Sequence, residues 1–62
     1  MKEKICLKCP DGKFRKFLIQ EEGFLVRNYG IYEINTFGDR KIDTTENRES
    51  VADVIRVNFP KK

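Results

Sequence analysis

Two cysteines, and a run of cations set among aromatic rings, are the residues of this chain whose types and spacing carry chemistry. Cys6 and Cys9 occur in the order Cys6-Leu7-Lys8-Cys9, directly before Pro10-Asp11-Gly12. A C-x-x-C pair leading into a glycine-containing turn supplies half of a zinc site, because thiolates are soft ligands and a turn brings two sulfurs round one metal. A structural zinc takes four ligands, and this sequence has two cysteines and no histidine. The zinc arrangement that suits it is therefore intersubunit, with two copies pooling Cys6 and Cys9. A redox pair fits less well. Along an extended strand the two side chains point to opposite faces, with Cα atoms roughly 10 Å apart against the ~7 Å that a disulfide spans. The plain alternative is that the thiols are small apolar groups. No cofactor other than such a bridging zinc is expected.

The second constellation is Lys13-Phe14-Arg15-Lys16-Phe17, followed by Phe24, Tyr29, Tyr32 and Phe37. Sheet surfaces that bind nucleic acid stack aromatic faces on bases and hold phosphates with Lys and Arg. Lys8, Lys13, Arg15 and Lys16 are the phosphate candidates. Phe17 and Phe24 are claimed by the core, since a small domain has few large apolar groups to spare. Tyr29 and Tyr32, whose hydroxyls tolerate water, are the stacking candidates. The charge distribution points the same way. Residues 1–16 hold six basic side chains against two acidic, whereas the remainder holds seven against eight, for a total of +3. A local cationic surplus suits a polyanionic partner. The competing explanation is a solvated hairpin whose lysines keep an edge strand from aggregating.

Catalysis is not expected. Histidine, the commonest general base near neutral pH, is absent. Ser50 is the single serine and has no base to activate it. Glu21-Glu22 falls in a polar turn, and the glycines spell no phosphate-cradling loop.

The elements that must position these groups are short. The chain has 62 residues, 39% hydrophobic and 37% charged, which suits one folded domain over 1–62 and not a disordered segment. No run approaches the ~20 apolar residues of a membrane span. Nor does the start have the apolar stretch of a secretory leader. A cytoplasmic location without membrane attachment is the expectation.

Period-two alternation predicts a first strand at 2–8 and a second at 13–20, joined through Pro10-Asp11-Gly12, where Pro presets φ and Gly supplies a positive one. The alternation of the second strand breaks near Lys16, which calls for a bulge or for burial on both faces; burial on both faces is favoured. Further strands are expected at 24–28, 31–37 and 40–43, with Asn28-Tyr29-Gly30 read as a break. Asp43-Thr44-Thr45-Glu46 has the form of a capping box, which predicts a short helical segment near 45–52. Alternation and β-branched residues then favour a last strand at 53–59. Five to six strands in so short a chain predict a mainly β fold: a strongly bent antiparallel sheet or a small SH3-like or OB-like barrel. The alternative is an α+β fold with a C-terminal helix near 45–57 packed on the sheet.

The expected function is a small non-enzymatic binding module taking nucleic acid on the basic hairpin. The alternative is a protein-interaction or regulatory module that self-associates, as a homodimer, through a sheet edge. The zinc-bridged dimer through Cys6 and Cys9 is the third.

Overall fold

The first hairpin forms where turn chemistry places it. The structure, a computed structural model, describes residues 2–23 and 25–61. Strand β1 spans Lys2–Lys8 and β2 spans Phe14–Glu22, paired antiparallel from Lys2↔Gln20 to Lys8↔Phe14. Gly12 closes the turn with φ 90°, and its N–H donates to the Cys9 carbonyl at 2.9 Å. The Asp11 carboxylate accepts from the Lys13 backbone N–H at 3.1 Å and from Arg15. Those donors, the Lys13 N–H foremost, hold its pKa below the ordinary carboxylate value.

Two further strands complete one open sheet. Strand β3 is Asn28–Asn35 and β4 is Gly38–Thr45, giving the antiparallel order β1-β2-β3-β4. A register shift between Ile31 and Tyr32 leaves Ile42 as the extra residue of β4. The bulge turns Ile42 toward the core while Lys41 stays opposite Tyr32. A 3₁₀ turn, Arg48–Ser50, then leads into helix α1, Val51–Asn58.

The helix covers one face of the sheet, and the core lies between the two layers. It consists of Cys9, Phe17, Ile19, Ile31, Val51 and Ile55, with Ile5, Leu7, Tyr29, Ile42, Val54 and Phe59 packed around it. Phe17 is fully buried, as expected; Phe24 lies outside the described residues.

The mainly β class is as expected, but its finer architecture is corrected in several places. Among the described residues four strands replace the five or six, and the sheet is open, not a barrel. The expected strand at 53–59 is the helix. That strand would bury Val57 beside Ile55 and Phe59, yet Val57 is 78% exposed. Val51 and Ile55, four residues apart, are the two positions the helix buries fully. This is the C-terminal helix of the α+β alternative, starting later than 45. The capping-box reading gives way because Thr44 and Thr45 finish β4, and the Asp43 carboxylate accepts from the Thr44 N–H and from Asn58 Nδ2.

The expected strand at 24–28 is not formed at 25–27, where Leu25 and Val26 are exposed in a bend, and β3 begins only at Asn28. Gly23 produces that bend with φ 108°, and a Cβ there would overlap the Val26 carbonyl oxygen. Asn28-Tyr29-Gly30 is therefore the start of a strand and not a break. The second strand has no bulge: its pairing runs unbroken, with Phe17 and Ile19 buried on one face and Leu18 half-buried on the other.

Candidate nucleic-acid interface: the open sheet face

Because successive side chains alternate, the face that buries Phe17 and Ile19 leaves the opposite set uncovered. Pairing arranges this second face in rows. Lys8 lies opposite Phe14. Cys6, Lys16, Ile34 and Asp39 form the next row, and Lys4, Leu18, Tyr32 and Lys41 the one after. Lys2, Gln20 and Gly30 follow. Leu18, Tyr32 and Ile34 thus make a half-buried apolar strip with lysines around it.

Most of those lysines have no acid beside them. Among the described residues, Lys2, Lys4, Lys8 and Lys16 join no ion pair, and neither does Lys13 in the turn. Lys8 places its ammonium 5.8 Å from the centre of the Phe14 ring, within cation–π range. Phe14 is itself 71% exposed.

The other end of the face is neutralised. Tyr32 donates its hydroxyl to Glu22 Oε2, and Lys41 donates to Glu22 Oε1 at 2.8 Å. The Lys41 and Tyr32 donors lower the Glu22 pKa; the Glu22 carboxylate in turn raises those of Tyr32 and Lys41. Gly30 makes room for this cluster. A Cβ on it would lie 2.5 Å from Glu22 Oε1 and 3.0 Å from Tyr32 Cε1.

The residues expected at a nucleic-acid site divide between the two faces. Lys8, Lys16 and Tyr32 share the open face, and Lys13 lies in the adjoining turn. Arg15 does not join them. It faces the helix side, where its Nη1 donates to both Asp11 oxygens at 3.0 and 2.9 Å, its Nε lies 3.3 Å from Glu33, and its guanidinium stacks 4.1 Å from the Phe59 ring centre. Tyr29 is also on the helix side, half-buried, lining a cleft of about 340 Å³ next to the Glu3–Arg48 ion pair.

Lys2, Lys4 and Phe14 belong to the face but were not among the expected site residues. The signal for them is parity: once Ile5 and Phe17 point inward, their even-numbered neighbours point outward. Phe37, in the β3–β4 turn, is completely exposed.

Cys6 and Cys9 are not brought together. Cys6 is exposed on the open face, whereas Cys9 is 2% exposed in the core. Among the described residues no group of three or more His, Cys, Asp or Glu side chains is arranged to hold a metal ion. Among the described residues no helix is long and apolar enough to cross a membrane.

The chain matches no family model, no curated protein and no solved structure, so its functional reading rests on this geometry.

Proposed function

We propose that the chain is a non-enzymatic module that binds nucleic acid on its open sheet face. The observation that carries this reading is four lysines, Lys2, Lys4, Lys8 and Lys16, on one uncovered face with no acidic partner among the described residues. Like charges on one face repel one another, and phosphates laid across them relieve the repulsion while releasing condensed counterions.

Fluorescence anisotropy with a labelled oligonucleotide at several salt concentrations tests it. Engagement of all four lysines gives a log–log salt slope of about −3 to −4, and each Lys→Gln substitution on the face reduces its magnitude by about one. Absence of binding at low salt overturns the reading.

Self-association through a sheet edge has less to support it. The β1 edge carries Lys2, Lys4 and Lys8, and the β4 edge is bulged at Ile42. Charge and bulges are both devices that keep edges apart. A zinc bridge using both thiols would have to draw Cys9 out of the core.

A further inference from the structure

Resting on the nucleic-acid reading above, we infer that the open face takes unpaired bases, with Phe14 and Phe37 as the stacking platforms, and that duplex is the poorer ligand. The two rings stand at the same end of the sheet, Phe14 at the start of β2 and Phe37 in the turn after β3. They are 71% and 100% exposed. A phenylalanine ring has no hydrogen-bonding atom, so it reads no base edge; what it offers a nucleic acid is a π-face.

The width of the sheet separates the two kinds of ligand. Four strands at about 4.8 Å spacing put the outer strands about 14 Å apart before side chains are added. The major groove is about 12 Å wide and admits a helix or a two-stranded ribbon. A sheet this wide meets a duplex through phosphates on its lysines and offers Phe14 and Phe37 no unstacked base. A single strand covers them, because its bases can be splayed out and stacked.

The cations suit that placement. The Lys8 ammonium lies beside the Phe14 ring, and Lys16 occupies the next row of the face. A phosphate held there leaves its base over the aromatic end. The strand then runs along β1, past Lys4 and Lys2, at the edge of the face opposite β4, where Asp39 and the Glu22-bound Lys41 lie.

The test titrates labelled oligothymidine, oligouridine and a duplex of equal length into the intact chain, with circular dichroism confirming the fold of each variant. Tighter binding of either single strand than of duplex is expected. Phe14→Ala and Phe37→Ala each weaken single-strand binding about tenfold, the scale of losing one stacked base. Phe14→Leu is as weak as Phe14→Ala, whereas Phe14→Tyr retains the parent affinity, because stacking needs a ring and not merely an apolar group. If duplex binds as well as single strand and removal of either ring changes nothing, the stacking inference falls while salt-dependent contact through the lysines stands. If no oligonucleotide binds at low salt, the nucleic-acid reading fails and this inference fails with it.

Discussion

Tyr32 is the residue whose surroundings make the sharpest prediction. Its hydroxyl is tied to a Glu22 carboxylate that Lys41 also holds. Glu22 has a lowered pKa, so its contribution to stability is present above its unfolded-state pKa and is lost as pH falls through the folded one. Tyr32 and Lys41 have raised values, so their contributions are complete below their unfolded-state pKa values and disappear as pH rises through the folded ones. The cluster therefore supports the fold between the acid and alkaline limbs and at neither extreme. In a Tyr29→Phe background, ultraviolet titration should find Tyr32 ionising above its ordinary pKa, and Glu22→Gln should bring it back down. Gly30→Ala should do the same at a cost of about 1 kcal/mol, because the nearest obstruction is the mobile end of a side chain. An unmoved Tyr32 titration in both variants would show that the cluster does not form. The thiols give a second test. Cys6 should react with a thiol reagent in the native state, and Cys9 only on unfolding. Two fast thiols would contradict the placement of Cys9 in the core.

At the level of elements, the helix is where stability is most exposed to mutation. Ile55 is fully buried, and truncation to Ala should cost about 2–5 kcal/mol. Val57, two residues on, is largely exposed, and Val57→Lys should change stability by less than about 0.5 kcal/mol. Denaturant melts of the two variants check both; equal losses would mean that this segment packs as a strand. The same segment marks the limit of what the sequence discloses. Ile55 belongs both to a 3.6-residue repeat with Val51 and Val54 and to a two-residue repeat with Val57 and Phe59, so the choice is made by the sheet it packs on and not by the segment itself. The first hairpin was legible because Pro10, Asp11 and Gly12 determine it locally. Of the candidate site residues, Lys8, Lys16 and Tyr32 fall on the open face. Arg15 and Tyr29 lie on the helix side, and which face is open depends on where α1 docks, well beyond either residue in the chain. Phe14 stands in the basic-aromatic run with no role assigned to it, because composition does not say which phenylalanines the core takes.

The whole molecule is a two-layer slab with Cα extents of 37 × 23 × 14 Å, a sheet with cover on one side. A 62-residue domain has a total stability of about 3–9 kcal/mol. Phe17→Ala, costing about 3–5 kcal/mol, should therefore remove a third or more of that margin, visible as a thermal midpoint lowered by more than about 10 °C. A sharp transition near the parent midpoint would mean that the single buried layer is not what holds the fold. The bare side has a consequence in crowded solution. Leu18, Ile34 and Phe14 form a strip on which another copy can lie flat, and at low ionic strength mutual repulsion between the ammonium groups keeps such copies from piling up. Concentrated salt shortens the reach of that repulsion to a few ångströms. The protein should then turn opalescent and sediment as stacked species in brine, and clear again on dilution, the reverse of what an assembly held by ion pairs would do.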